Sequence, residues 1–178
     1  MNPKVRRVVT GEGPDGRSRI YSDGEPPFSI TVAGSMVADL WQGSGAPEQL
    51  KHGYQEATDG KIRLDPPNGG NFFRIVDFLP ASKQPATSEQ GKAMFEQLGS
   101  GSAFVDSGDP RGHMHRTETV DYGIVLSGRM TLVVEDGEVE LAPGDIVIQR
   151  GCNHLWYNHT TENCRMAFVM IDAVYPKS

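Results

Sequence analysis

The sequence predicts an all-β fold, an antiparallel barrel of the jelly-roll kind, and two observations carry that prediction. Glycine and proline, 21 and 12 of 178 residues, recur at short intervals, which favours many tight turns over a helical bundle. From Gly112 onward the turn residues become regular and leave only short strand-like segments between them. That spacing belongs to barrels and jelly rolls rather than to βαβ units.

The elements follow in chain order. Val5–Thr10 and Arg17–Ser22 flank the turn-rich Gly11–Gly16 and predict a hairpin, with Phe28–Val32 and Met36–Trp41 as further strands. Residues 43 to 70 are broken by Gly and Pro and predict extended arms and loops. Asn71–Phe78 has strand composition and ends at Leu79–Pro80. Thr87 through Leu98 predicts the single helix: Thr87 and Gln90 have capping-box spacing, Lys92 and Glu96 pair at i,i+4, and Gly99 stops it. The strands then come in close succession: Tyr122–Leu126, Met130–Val134, Val139–Leu141, Ile146–Ile148, His154–Asn158 and Arg165–Ile171. Asp136–Gly137 is a strong hairpin signal, and Pro143–Gly144–Asp145 reverses the chain. The expected organisation is an arm of strands, loops and one helix over residues 1–100, packed on a core barrel over 101–178, as one structural domain.

Composition excludes several functions. Hydrophobic residues at 37% and charged residues at 22% fit an ordinary soluble globular protein. A net charge of -6, from 17 Lys+Arg against 23 Asp+Glu, argues against nucleic acid as a partner, since phosphate neutralisation needs a basic face. No helix-turn-helix pattern precedes the barrel. No apolar run approaches the roughly 20 residues that span a bilayer, so no membrane is expected. Met1–Arg7 is basic but leads into no apolar signal segment, and a cytoplasmic location is the expectation. Cys152 and Cys164 make no disulfide framework.

Three of the five histidines, His113, His115 and His154, fall in the strand-rich half. His113 and His115 are two residues apart and share one side of an extended strand. Two buried imidazoles on one face need partners for their nitrogens, and a divalent metal is one solution. His154, Trp156 and Asn158 alternate onto one face, as do Asp121, Gly123 and Val125, so these residues are expected to line the interior, with Gly123 leaving room in it. Tyr122 and Tyr157 should face outward. His52 and His159 should be solvated.

In order, the segments HMHRTETVDYGIVLSG and PGDIVIQRGCNHLWYN resemble the two cupin motifs: HxH, an acid and a glycine, then PG-D, a glycine and HxxxN. The resemblance covers Gly112 to about Ala173. It implies one divalent transition metal (Fe, Mn, Zn, Ni or Cu) held by His113, His115, Asp121 and His154. The acid departs from the pattern, being Asp with five residues between it and His115 instead of Glu with four between; Glu118 has the wrong distance to Gly128, so Asp121 is preferred. Gln149, counted with the pocket, stands where the second motif commonly has Pro.

The resemblance further implies a metal-dependent enzyme on a small organic substrate, either a dioxygenase or a non-redox decarboxylase, isomerase or lyase. Glu118 or Tyr122 is the general acid or base if either turns inward. A non-catalytic small-molecule-binding cupin is the alternative. A metal-free epimerase of similar shape is less favoured, for want of a basic phosphate pocket. Cupin barrels commonly pair through N-terminal strands, so Val5–Trp41 implies a homodimer.

Overall fold

The computed structural model describes residues 4–50, 52–84 and 87–175. Its first strands, β1 (Arg7–Glu12) and β2 (Ser18–Gly24), form a separate two-stranded ribbon. The other strands build two sheets in which every pairing is antiparallel. One sheet holds six strands: β3 (Ser29–Val32), β4 (Ser35–Gly43), β5 (Asn71–Phe78), β8 (Thr119–Ser127), β11 (Ile146–Arg150) and β13 (Cys164–Asp172), in the order β11-β8-β13-β5-β4-β3. The other holds β6 (Phe104–Val105), β7 (Met114–His115), β9 (Met130–Val134), β10 (Gly137–Leu141) and β12 (His154–Tyr157), in the order β10-β9-β12-β7-β6. Among the described residues no helix is long and apolar enough to cross a membrane.

Period-two patterning explains which side chains turn inward. Along β8, Thr119, Asp121, Gly123 and Val125 are buried, whereas Tyr122 and Leu126 between them are exposed, as a strand with one face on a core requires. The main core lies between the sheets, where Phe72, Val125, Met166 and Phe168 from one meet Met130, Leu132 and Trp156 from the other. Gly128 closes the β8–β9 turn at φ 78°, and a Cβ there would sit 2.6 Å from the Asn163 carbonyl oxygen. Both the dihedral and the space demand glycine.

The helix α1 (Ser88–Gln97) begins at a complete capping box between Thr87 and Gln90. It buries Gly91 and Phe95, and Phe95 joins Val32, Val37, Leu64, Leu98 and Ala103 in a second core cluster. Full burial of a side chain such as Phe95 contributes about 2 to 3 kcal/mol. Between β4 and β5 the described residues form neither strand nor helix. Glu56 in this segment receives Arg7 Nη1 at 2.9 Å and Nη2 at 2.6 Å, and Arg7 Nη1 also reaches the Leu40 carbonyl at 3.0 Å. The Arg7 guanidinium holds the Glu56 carboxyl down at about 2, and the cluster ties the start of the chain to its own sheet.

The division expected at residue 100 does not coincide with a break in the sheets. Strands β3, β4 and β5 precede it, yet β5 pairs along its whole length with β13. The apolar residues of β5 complete a core that the later strands leave open on one side, so half of one sheet comes from the expected arm. Among the described strands only β1 and β2 stand apart.

Candidate functional site

Strand pairing sets the imidazoles. His115 on β7 lies directly opposite His154 on β12, and directly opposed residues project on the same side of a sheet. Their rings approach to 4.2 Å between centroids. His113, two residues earlier, faces the same cavity and packs on Phe104 at 5.5 Å. The ring of His113 also occupies the space where a Cβ on Gly91 of α1 would sit, so the helix closes over the histidines because that position is glycine.

The cavity has a volume of about 170 Å³ and a largely apolar wall that includes Trp156, Phe78, Phe168 and Met170. Phe95 and Leu98 bring α1 into that wall. Asp121 of β8 and Arg74 of β5 also line it. Asp121 is 5% exposed and Arg74 is 4% exposed.

Burial shifts several of the titratable groups that line this cavity. Burial holds the His115 ring well below the usual imidazole range, and the neighbouring His154 adds to the effect. Burial also lowers His154, so both rings are neutral near pH 7. His154 Nδ1 lies 2.9 Å from the Cys152 carbonyl. A carbonyl only accepts, so Nδ1 carries the proton and Nε2 keeps its lone pair.

Burial pushes the Asp121 carboxyl up to about 6, against the opposing effects of a Thr119 hydrogen bond and the Arg74 charge. Arg74 pairs with Asp39 at 2.9 Å and donates to the Arg63 carbonyl at 2.6 Å. Burial drives Asp39 up and Arg74 down, which marks a pair whose desolvation outweighs its attraction. On the cavity's histidines and Asp121, three buried atoms have no hydrogen-bond partner: His113 Nε2, His115 Nδ1 and Asp121 Oδ1.

The expected site residues thus meet different fates. His113, His115, Asp121, His154 and Trp156 line one cavity. The four expected metal ligands, however, do not gather round one point: among the described residues no group of three or more His, Cys, Asp or Glu is arranged to hold an ion. A Thr119 hydrogen bond and the Arg74 charge act on Asp121, while the His115 and His154 rings lie against each other. The expected ligand set does not fit a shared metal in this arrangement.

Glu118 is exposed and Tyr122 is 40% exposed, and neither lines the cavity. Strand parity turns Tyr122 outward beside the inward Asp121, and Glu118 precedes β8 with its side chain exposed, which corrects the expectation of a general acid or base at either. Gly123 faces inward, but the Phe168 ring fills the space beside it, 3.1 Å from where its Cβ would lie. Val125 is packed in the core. Gln149 is buried and donates to Cys152 Sγ at 2.9 Å. Asn158, fully buried, donates to the Glu162 carbonyl at 2.7 Å and accepts from the Thr160 hydroxyl at 2.7 Å. Gly123, Val125, Gln149 and Asn158 therefore shape the barrel and its turns instead of lining the pocket.

Sequence reasoning missed Arg74 and Asp39. Their only sequence signal is a charge inside an otherwise apolar strand, Arg74 within NFFRIVDF and Asp39 within MVADLW.

Comparison with known proteins agrees with this architecture. A family model described as Cupin domain matches residues 104–171. Phomopsin biosynthesis cluster protein C' of Diaporthe leptostromiformis is 52% identical over 62 residues, covering 34% of this chain and 33% of that protein. The chain thus matches about one third of that relative's length. Cupin-domain-containing oxidoreductase srdD of Neurospora crassa is 35% identical over 180 residues, covering 95% of this chain and 76% of that protein. Cupin-domain-containing oxidoreductase fogC of Aspergillus ruber is 25% identical over 177 residues, covering 95% and 73%. A two-sheet antiparallel barrel, the paired histidine motifs and a relative matched along nearly the whole chain lead to one conclusion: the chain belongs to the cupin superfamily.

Proposed function

We propose that this chain is a small-molecule enzyme of the cupin type that handles an organic substrate inside the barrel cavity. The observation that carries the reading is the set of buried, unpartnered polar atoms of His113, His115 and Asp121 facing an apolar cavity. Buried polar groups without partners are costly and rare in native proteins, so their natural complement is a ligand. The names of the srdD and fogC relatives support an oxidoreductase, and the name of the phomopsin cluster relative supports a role in a biosynthesis cluster.

Each residue has a distinct task in this reading. The apolar wall binds the substrate skeleton and excludes water. Asp121, titrating near pH 6, is the group best placed to accept or return a proton around neutrality. His154 Nε2, on a neutral ring whose proton sits at Nδ1, accepts from a substrate hydroxyl. No step is routed through a metal, because the side chains expected to share one do not converge.

Proton transfer is testable directly. Purified protein incubated in heavy water with a panel of carbonyl- and hydroxyl-bearing ring compounds should incorporate deuterium at an acidic C–H, seen by NMR, and Asp121→Asn should abolish it. No incorporation with any compound, together with saturable binding, would leave the non-catalytic binding cupin as the function. Elemental analysis of wild type beside a His115→Ala/His154→Ala double variant tests the metal. Stoichiometric metal in wild type, lost in the variant, would show that the histidines rearrange around an ion and would replace the acid–base reading.

We also propose a homodimer, but not through the N-terminal strands. Arg7 fastens that segment to Leu40 and Glu56 of its own chain. The open surface is at β11, an edge strand of the six-stranded sheet. There Ile146 and Ile148 are 63% and 54% exposed beside Tyr122 and Leu126 of β8. An apolar face next to an unpaired edge is suited to an isologous contact with a second copy. Light scattering should give twice the chain mass of 19.4 kDa, and Ile148→Lys should return it to the single mass.

A further inference from the structure

Ala33, Gln84 and Met94 line both the cavity and a second, solvent-facing hollow of about 470 Å³. The two spaces therefore meet at these three side chains, between the β3–β4 turn and α1. Their walls differ in chemistry. The inner wall is largely apolar, whereas the outer hollow carries the amides of Gln84, Gln90 and Gln97 and the ammonium of Lys83.

Helix geometry makes the outer wall one stripe. Gln90, Ala93, Met94 and Gln97 follow at i, i+3, i+4 and i+7 and share a face of α1, apart from Gly91 and Phe95, which the core buries. Gln90 accepts from the Thr87 amide in the capping box, and Gln84 donates to the Leu79 carbonyl at 2.8 Å. Among the described residues the Gln97 amide has no such duty, so it is the amide of this wall available to a ligand. At the junction the backbone accepts strain. Ala33 and Gly34 form a two-residue loop between the paired Val32 and Ser35, with φ of 48° and 83°. Such a turn favours Asn or Gly at its first position, and alanine is uncommon there. Alanine forgoes the better turn residue but adds only one carbon to the passage between the two hollows, and strain of this kind gathers at functional sites.

We infer that the ligand is longer than the cavity: its apolar head sits inside, and a tail ending in an amide or a similar neutral hydrogen-bonding group passes Ala33 and lies along α1 to meet Gln97. The inference rests on the reading of the cavity as a small-molecule site and adds a second subsite to it. Ala33 sets the width of the passage, and Gln97 recognises the tail. Gln97 lies about 4.5 Å beyond Met94 along the helix axis, within reach of a tail of about four carbons. Ala93, small and on the same stripe, leaves room for that tail.

Three probes with one head test this by fluorescence titration of the full chain. 2-Methoxynaphthalene is the head alone, 2-butoxynaphthalene adds an apolar tail, and 4-(2-naphthyloxy)butanamide ends the tail in an amide. The butanamide should bind about fivefold tighter than the butoxy compound, the factor that one amide hydrogen bond supplies. In Gln97→Ala that ratio should fall to near one. Ala33→Asn places a favoured residue in the turn, so its melting temperature should equal or exceed that of wild type. The same variant narrows the passage and should weaken both tailed probes at least about fivefold relative to 2-methoxynaphthalene. A butanamide no tighter than the butoxy compound, a ratio that survives in Gln97→Ala, or tailed binding undiminished in Ala33→Asn overturns the inference, while binding of 2-methoxynaphthalene still marks the cavity as a small-molecule site. Failure of all three to bind wild type overturns the small-molecule reading and this inference with it.

Discussion

Replacing Asp121 with Asn should stabilise this protein at neutral and mildly alkaline pH, although it removes a group that lines the cavity. Proton linkage sets the sign. Burial raises the Asp121 carboxyl from 3.8 to about 6, so the folded state holds its proton more tightly than the unfolded state does. Between those two values the native protein binds more protons, and stability therefore falls as pH rises through the window. A shift of about two units corresponds to roughly 3 kcal/mol, lost by about pH 7 and fully present below pH 4. An amide at this position would carry no charge and escape that loss. For a domain of this size 3 kcal/mol is a Tm difference of about 6 to 12 °C. The assay is thermal unfolding of wild type and Asp121→Asn from about pH 4 to pH 8, read as the difference between the two curves, in which the titration of other groups cancels. The expected difference is near zero at the acid end and favours the variant increasingly toward pH 8. A flat difference curve, or a variant less stable than wild type at pH 8, would refute the claim that a buried carboxylate is held here at a cost.

Other consequences follow from single positions. His115 and His154 are depressed by burial, so their contribution is present above the ordinary imidazole range and lost on acidification. A His115→Leu variant should accordingly lose less stability than wild type between about pH 6.5 and pH 5, by urea denaturation at each pH. Asp39→Ala removes the carboxylate beside the buried Arg74 and should cost about 3 to 5 kcal/mol; a loss below about 1 kcal/mol by urea denaturation would show that Asp121 takes over the pairing. Gly128→Ala combines a left-handed φ with a backbone clash against Asn163 and should cost about 3 kcal/mol or more, whereas Gly137→Ala, with open space around it, should change the melting temperature little.

Much of the fold was written locally. The strand Asn71–Phe78 and the strand Met130–Val134 coincide with their sequence expectations, since apolar runs closed by Pro or Gly leave little choice of boundary. The helix is one residue shorter at each end, because Thr87 and Leu98 serve as its caps. The site was legible where spacing alone fixes direction: His113 and His115 share a side because they are two apart, and the parity of His154 and Trp156 puts both in the cavity.

Parity reaches no further than which face a residue takes. It put Asn158 on the inner face, yet only the turn at Thr160 and Glu162 shows that this side chain braces backbone. It could not place β5 beside β13, where Asp77 meets Arg165 across a sequence separation of 88 residues, so Arg74 stayed invisible as a cavity residue. Nor does a motif's spacing state whether four side chains meet at a point. The sequence by itself determined an antiparallel barrel and which strands carry its polar interior, because turns and alternation are local properties of the chain. The tertiary structure alone decided that Asp121 answers to Arg74 and the histidines to each other, because long-range register and burial set which charges face one another and how strongly.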